Sequence, residues 1–513
     1  MQPNGTHLRH VVEVASRLNR RQAGMRLMAL LLIVMPIVGG LGHARAMGST
    51  VSQRFTSGAP WSYSPMRHYR HGGSMFNQDS ILWYRMRDGR MAVLSAHSGR
   101  AATRDSGIRA PDVRGDYLAT QITMADKRPP QQRATANAHS VMPPPRTDPW
   151  TRQTPLGAKD AAPGDLFGRV VAVGGNIVVV GAPAINNDAG AAYVFARMGP
   201  TWSQEAKLSA SDGVSGDFFG ATVEVDGDTI VIGAPFSNNG TGAAYVFTRK
   251  GSSWTQGAKL IANDGASGDI FGYSVALQGD TIVVGAPNAA SGTGTAYAFT
   301  RTGLLWTQQA KLNADDGVAG DIFGSVVAVS GDTVVAGADF KNNRIGVAYV
   351  FARRGTGWEQ QAELSAGDGA SGDQFGDAVA VDRDTVVVGA VYNSSAAGAA
   401  YVFVHRGVGW EQQAKLTVSD GAAGDGLGDA VAVEGDTVVT GAPFANIGAG
   451  NYETGAAYVF TRAGGNWVQQ AKLAAGDGAS WDFFGAGVGV SGHSIVVGVP
   501  FNRGTGTVYT FDR

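Results

Sequence analysis

The stretch DFFGATVEVDGDTIVIGAPFSNNGTGAAYVF, residues 217–247, decides the fold because close copies of it recur seven times along the chain. Four markers align the copies: Asp-x-Phe-Gly, Gly-Ala-Pro, Ala-Tyr-Val-Phe and a Trp. The Asp of the first marker recurs at a spacing of 52 residues five times and of 57 once, at Asp165, Asp217, Asp269, Asp321, Asp373, Asp425 and Asp482. A fixed period near 50 residues indicates a propeller or a solenoid.

Each period has the pattern of four short strands. Alternating apolar residues after the Phe-Gly end at the two-residue turn Gly227-Asp228, which is a strong hairpin signal. A second apolar run stops at Pro235, because proline cannot donate to a sheet ladder. The third strand is expected at 243–247 and the fourth at 254–260. Four antiparallel strands per period form the blade of a propeller, so we predict an all-β, seven-bladed β-propeller of four-stranded antiparallel blades.

The two ends of the repeat region predict how the ring closes. The seventh copy stops at Phe511 and lacks its Trp strand. Trp150 precedes Asp165 at the same spacing as Trp254 precedes Asp269. We therefore expect an N-terminal strand to complete the last blade, which removes the edges that an open ring would expose to aggregation.

The markers, seven times in register, resemble the FG-GAP repeats of integrin alpha-subunit propellers and of exported bacterial proteins. The resemblance covers residues 150–513 and implies a seven-bladed propeller used for adhesion or ligand binding. In the integrin relatives calcium lies in an Asp-rich loop between the first and second strands. Here that place holds only tight turns such as Gly227-Asp228, which cannot supply the six or more oxygens that Ca²⁺ takes. We expect no calcium at those turns.

The chain before the repeats falls into two segments. Residues 25–46 have the charged start, apolar core and Ala-Arg-Ala cleavage site of a signal peptide. We predict that 1–46 is removed, with Met25 as the true start, and that no stable membrane span remains, since the apolar run is short of the roughly 20 residues needed. The protein is therefore expected to be exported, to the periplasm, the cell surface or the extracellular space.

Residues 47–149 are rich in Arg, Ser, Gly and Pro and predict a low-complexity, disordered linker. Their alternative role is a basic arm that contacts the acidic propeller or an anionic surface. Two apolar clusters, at 81–84 and 91–94, are too small to make a core.

Composition excludes several classes of site. The chain has no cysteine, and its formal net charge of −1 hides an excess of acidic over basic side chains within 150–513. An acidic propeller is unsuited to nucleic acid, which needs clustered Lys and Arg. The propeller holds only two histidines, His405 and His493, on different blades, so we expect neither a Ser-His-Asp arrangement nor a histidine metal site.

The strongest carboxylate pattern is Asp-Gly-x-x-Gly-Asp, which joins each fourth strand to the next blade. Because the pair recurs in every blade, it is expected to hold turns, since Asp bonds nearby backbone N–H groups and Gly supplies positive φ. The alternative is that such pairs share Ca²⁺ with backbone carbonyls. The residues of this alternative metal site are Asp212, Asp217, Asp264, Asp269, Asp316 and Asp321. No other cofactor is expected.

Function is expected where the copies differ, in the loop between the second and third strands, because binding specificity tends to reside in loops on a rigid scaffold. The loop of the sixth copy carries five extra residues. The predicted ligand-binding residues are Lys341, Arg344, Asn446, Asn451, Tyr452 and Glu453. We expect an exported, non-enzymatic binding or adhesion protein with a protein or carbohydrate partner. The alternatives are a secreted carboxylate-dependent hydrolase at the channel mouth and a purely structural surface protein.

Overall fold

A computed structural model of the protein describes residues 81–85, 91–95, 150, 152–407, 409–448 and 451–513. The predicted signal peptide lies outside these residues. The chain divides into two units, 50–147 and the remainder. In the first unit, strands β1 (Ile81–Arg85) and β2 (Met91–Ser95) pair antiparallel. They coincide with the two apolar clusters of the predicted linker. Within the described part of the chain, no helix is long and apolar enough to cross a bilayer.

Seven four-stranded antiparallel sheets make up the second unit, which confirms the predicted blades. Blades 1 and 2 are formed by β4 (Val171–Gly174), β5 (Ile177–Ala182), β6 (Ala191–Met198), β7 (Thr201–Leu208) and by β8 (Thr222–Asp226), β9 (Thr229–Ala234), β10 (Ala243–Lys250), β11 (Ser253–Leu260). Blades 3 and 4 are formed by β12 (Ser274–Gln278), β13 (Thr281–Ala286), β14 (Thr295–Thr302), β15 (Leu305–Leu312) and by β16 (Val327–Ser330), β17 (Thr333–Ala338), β18 (Val347–Arg354), β19 (Gly357–Leu364).

Blades 5 to 7 follow the same order of strands. Blades 5 and 6 are formed by β20 (Phe375–Asp382), β21 (Thr385–Ala390), β22 (Ala399–Arg406), β23 (Gly409–Leu416) and by β24 (Val431–Glu434), β25 (Thr437–Ala442), β26 (Ala456–Ala463), β27 (Asn466–Leu473). Blade 7 is formed by β28 (Gly487–Ser491), β29 (Ser494–Val499), β30 (Thr507–Asp512) and β3 (Arg152–Leu156).

The ring closes through the N-terminal strand, as predicted. Strand β3 pairs antiparallel with β30 and places Pro155 opposite Tyr509. Trp150 is buried in one cluster with Tyr509 and Phe511. The first strands of neighbouring blades contact each other around the ring, and β28 contacts β4.

Hydrogen bonds between hairpin turns reinforce this ring near its axis. The residue before the turn glycine of one blade accepts the backbone N–H of the corresponding turn residue in the next blade. Asp226 Oδ2 accepts from Gly279 N–H at 2.6 Å, and Ser491 Oγ accepts from Gly175 N–H at 3.1 Å. The last of these bonds joins blade 7 to blade 1, and six of the seven neighbouring pairs are joined in this way, since Gly174 of blade 1 has no side chain that could accept.

Aromatic side chains fill the space between blades. Phe219 is fully buried and packs edge-on against Tyr245 at 5.5 Å and Phe247 at 6.0 Å between ring centroids. This cluster contains residues of both blade 1 and blade 2. Such pairs add about 0.5–1.5 kcal/mol each beyond their buried area. Repetition of the same trio is the physical reason for the Phe-Gly and Ala-Tyr-Val-Phe markers.

The loops between the second and third strands contain a tight left-handed turn in blades 1 to 5. Its bounds are α1 (Ile185–Asp188), α2 (Ser237–Gly240), α3 (Ala289–Gly292), α4 (Lys341–Arg344) and α5 (Asn393–Ala396). The two central residues of each turn have φ and ψ in the left-handed region, as at Asn238 and Asn239. Gly242 then forms a parallel bridge with Phe271 of the next blade. This bridge brings the loops and the Asp-Gly connections to one face, the loop face.

Candidate functional site

The first Asp of each Asp-Gly connection is held by a tyrosine and a cation, an arrangement that we name the carboxylate latch. In blade 2, Asp212 accepts hydrogen bonds from the Tyr245 hydroxyl at 2.9 Å and from Lys259 Nζ at 2.6 Å. The bond from Lys259 holds the pKa of the Asp212 carboxyl below its usual range. The same latch forms at Asp160, Asp264, Asp316, Asp368, Asp420 and Asp477.

Two blades build the latch with a cation from the loop instead of the fourth strand. Blade 4 has Glu363 where five other blades have lysine, and Lys341 supplies the cation instead, 3.0 Å from Asp316 and 3.2 Å from Asp321. Blade 7 has Pro155 at this position, and Arg503 contacts its latch carboxylate at 2.6 Å. Lys341 is 5% exposed. Its environment is therefore that of a structural residue, although the sequence predicted it as a ligand contact.

The second Asp of each connection holds a turn. Asp217 Oδ2 accepts the backbone N–H of Val214 at 3.0 Å, and Asp269 and Asp321 accept equivalent bonds at 2.8 and 2.9 Å. All six carboxylates of the predicted calcium alternative thus have partners in the protein. Within the described residues, no three His, Cys, Asp or Glu side chains converge as metal ligands would. The contacts match the turn-holding role, and calcium binding stays a prediction.

The longer loop of blade 6 brings four of the six predicted ligand residues together. Asn446 Oδ1 accepts the backbone N–H of Glu453 at 2.8 Å, and Asn451 Nδ2 donates to the carbonyl of Ile447 at 3.2 Å. The N–H of Tyr452 donates to Ser480 Oγ at 3.1 Å. These bonds tie the loop to itself and to the connection that leads into blade 7.

An aromatic pair stands at the surface of this loop. Tyr452 is 60% exposed and its ring stacks on Trp481, with centroids 6.3 Å apart and planes 22° apart. Trp481 N–H donates to the Tyr452 carbonyl at 2.8 Å. Sequence analysis missed Trp481, although the signal is visible. It is the only residue other than Gly at its position in the seven Asp-Gly connections, at which the other six blades have Gly164, Gly216, Gly268, Gly320, Gly372 and Gly424.

Glu453 lies beside this pair with its carboxyl group turned inward. Its Oε2 atom is buried and has no hydrogen-bond partner among the described residues. Burial raises the pKa of Glu453 to about 7, because a desolvated carboxyl favours its neutral form. Arg344, the remaining predicted residue, belongs to blade 4, where its guanidinium lies 4.4 Å above the Phe340 ring.

A second unusual carboxyl group lies on an innermost strand. Glu224 of β8 accepts only the N–H of Val225, at 3.3 Å, and burial raises the pKa of Glu224 to about 7. The corresponding residues of the other blades are small, namely Ala172, Ala276, Ala328, Ala380, Ala432 and Gly489. One innermost strand therefore carries a carboxyl group at a position where the other six have alanine or glycine.

A shallow cavity lies at the hairpin turns of blades 5 to 7. Arg383, Glu434, Asp436, His493 and Arg513 line it. Its charges are engaged within the protein: Arg383 contacts Asp382 at 3.1 Å, and Arg513 donates to His493 Nδ1 at 3.3 Å. The cavity therefore presents less free hydrogen-bonding capacity than the blade 6 loop.

Comparison with known proteins agrees with the repeat and the fold. No curated protein matches this sequence. A chain in the crystal structure of the mitotic checkpoint complex is 11% identical, with a TM-score of 0.47, over 77% of this chain and 99% of that one, a likeness too low to support any argument. The family model described as FG-GAP repeat matches residues 150–195, 202–247, 254–299, 306–351, 358–403, 410–460 and 467–511. These seven matches cover more than half of the chain, which therefore belongs to the FG-GAP repeat family.

Proposed function

We propose that this protein is an exported, non-enzymatic binding or adhesion protein that holds a protein or carbohydrate partner on its loop face. The observation that carries the proposal is the blade 6 loop, where an exposed tyrosine stacks on a tryptophan that replaces a glycine of the repeat. In the other blades the aspartates of the Asp-Gly connections are engaged by the latch and by turn N–H groups. A specific site needs a surface that differs from its repeated neighbours, and the blade 6 loop provides such a surface on a rigid scaffold.

Family membership supports the same class of function. FG-GAP propellers are generally binding proteins and are typical of exported or extracellular proteins. The hydrolase alternative receives less support, because glycoside hydrolysis needs two carboxyl groups facing one bond. Glu224 has alanine or glycine at its six counterparts, and its neighbour Asp226 is engaged by Gly279.

An exchange of loops tests the binding role. Residues 444–455 are replaced by FSNNGTG, the loop of blade 2 at 236–242, which keeps the glycine that bridges to the next blade. The purified chain and this variant are applied to arrays of oligosaccharides and of extracellular proteins. We expect the variant to melt at a temperature similar to that of the unchanged protein and to lose the partner. Binding that survives the exchange contradicts the proposal.

Export is tested separately, because its support is the sequence of residues 25–46. A reporter enzyme that is active only after export is fused behind residue 60. We expect activity from a fusion that starts at Met25, and none when Leu30, Leu31 and Leu32 are changed to Asp. An active reporter in the Asp variant contradicts the signal peptide.

A further inference from the structure

Trp481 occupies a position at which the other six blades have glycine. Its φ is +71°, and its six glycine counterparts have φ between +91° and +93°. L-residues other than Asn and Asp seldom adopt positive φ, which costs on the order of 1–3 kcal/mol where the surroundings enforce it. Positive φ also occurs two positions later in the same connections, as at Phe218, Ile270 and Phe483, so the feature that distinguishes Trp481 is that all six of its counterparts are glycine.

Packing does not explain the tryptophan. A Cβ added at any of the six glycine counterparts meets no atom within 4 Å, so a side chain at this position projects into open space. Trp481 accordingly stays partly exposed and finds its aromatic contact in Tyr452, which comes from the loop that only blade 6 has. The two features occur together and nowhere else in the ring, which indicates that they serve one purpose.

The chemistry of this surface fits a sugar ring. A pyranose has a face of C–H groups that packs on an aromatic ring and a rim of hydroxyls that need donors and acceptors. Tyr452 offers its exposed ring, and the exposed side chain of Asn446 in the same loop offers an amide group.

The size of the patch also favours a sugar over a protein. A stable protein interface buries about 800 Å² on each partner around an apolar centre. The exposed large apolar residues of the loop face are separated, because Val214 precedes blade 2, Val318 precedes blade 4 and Tyr452 belongs to blade 6. One aromatic pair with a polar rim matches one or two sugar units.

We propose that Tyr452 and Trp481 form the stacking surface of a carbohydrate-binding subsite, with the exposed amide of Asn446 as a hydrogen-bonding group at its rim. This inference rests on the proposed binding function of the loop face and names its ligand class. Because the ring faces recognise C–H groups and the rim recognises hydroxyls, the subsite is expected to take the pyranose units of a glycan.

The test uses the full chain on an array of immobilised neutral and acidic oligosaccharides. Trp481→Gly restores the residue of the other blades, and Tyr452→Ala removes the exposed ring. We expect each to weaken glycan binding at least about tenfold, as loss of an aromatic anchor does, with melting temperatures close to that of the unchanged protein. Tyr452→Phe keeps the ring and should retain binding. Tyr273→Ala, an exposed aromatic of another blade, is the matched control.

The outcomes separate the inference from the proposed function. Glycan binding that persists in both Trp481→Gly and Tyr452→Ala overturns the subsite. Binding to an array protein instead of any oligosaccharide, lost on exchange of the 444–455 loop, overturns the carbohydrate class and leaves the binding role intact. Partner binding that survives the loop exchange removes both.

Discussion

The loop of blade 2 and the loop of blade 6 connect the same two strands of the same repeat, yet they are organised differently. In blade 2 a left-handed turn leads to Gly242, and the neighbouring latch engages Asp212 with Tyr245 and Lys259. In blade 6 the turn is replaced by a longer loop that exposes Tyr452 against Trp481. The comparison shows that the repeated latch joins neighbouring blades, and that the candidate site lies where one blade departs from the repeat.

The largest loss of stability is expected at a glycine where the repeat leaves no space for a side chain. A Cβ on Gly242 would lie 1.9 Å from the Phe271 carbonyl oxygen, and φ there is +86°. Gly242→Ala should therefore lower the free energy of unfolding by more than about 4 kcal/mol or prevent folding, since backbone atoms cannot move aside. Gly216→Ala is the matched control, with φ of +92° and open space, and should cost about 1–2 kcal/mol. Equal costs in denaturant unfolding would show that the clash is relieved.

A second test compares the latch cation that comes from a loop, Lys341, with one that comes from a fourth strand, Lys259. Lys341 is almost fully buried, whereas the side chain of Lys259 is 32% exposed. Lys341→Ala should destabilise by about 2 kcal/mol, because it leaves the buried Asp321 carboxylate without its cation. Lys259→Ala should cost less than about 1 kcal/mol. Urea unfolding measures both, and glycan binding should be unchanged in Lys341→Ala. Lost binding with full stability would restore Lys341 as a ligand residue.

Glu224 differs from its alanine and glycine counterparts in the other blades, and it lies in a strand instead of a loop. Its folded pKa of about 7 lies above the ordinary value of 4.5, so the native state keeps a proton that the unfolded chain loses. The resulting penalty is absent below pH 4.5, grows as pH rises to 7 and is complete above it. Glu224→Gln should therefore stabilise by about 2 kcal/mol more at pH 8 than at pH 4.5. Unfolding across this range measures it, with Glu359→Gln on an exposed strand as control. Parallel stability profiles would contradict the buried carboxyl.

Trp481→Gly makes blade 6 resemble the other blades at one residue. Loss of aromatic stacking and relief of the positive φ oppose each other, so the free energy of unfolding should change by less than about 1 kcal/mol. The reverse change in blade 3, Gly268→Trp, lacks a stacking partner and should cost about 1–2 kcal/mol. Thermal unfolding of the two variants measures the difference. A large loss in Trp481→Gly would assign the tryptophan to folding.

The smallest effect is expected from calcium removal. Because the six aspartates of the interblade alternative are engaged by Lys, Tyr and backbone N–H groups, excess EDTA should leave the Tm unchanged. Addition of Ca²⁺ after dialysis should leave it unchanged as well. A fall with EDTA that calcium reverses would make the connections metal sites.

Much of the fold could be predicted because a propeller repeats its physics. The seven copies of the repeat predicted seven blades. The position of Trp150 relative to Asp165, which matches that of Trp254 relative to Asp269, predicted how the ring closes. The third strand was predicted too short, ending at Phe247 instead of Lys250, because Arg249 and Lys250 are polar but still pair with Trp254 and Ser253. Apolar pattern alone does not mark the end of a strand whose outer part is solvated.

The candidate site was predicted only in the loop whose length differs from that of the other blades. The five extra residues directed attention to Asn446, Asn451, Tyr452 and Glu453, which the structure brings together. Trp481 was missed because the Asp-Gly connections were treated as uniform. The contact of Lys341 with Asp316 could not be predicted, since the replacement of the latch lysine by Glu363 makes sense only once the latch is known, and a ligand role for Lys341 stays a prediction. A loop residue that takes over the role of a residue on another strand cannot be recognised from either position alone.

The bond between the Thr510 hydroxyl and the Thr154 carbonyl joins residues 356 positions apart. Synthesis completes β30 long after β3, so the first strand of the propeller waits for the last before it has a neighbour. Pairing of β3 with β30 is then the last step of folding, and it is slow because the two strands are far apart in the sequence. A chain cut short before β30 would carry two bare sheet margins into solution, which is the form that chaperones and proteases must intercept.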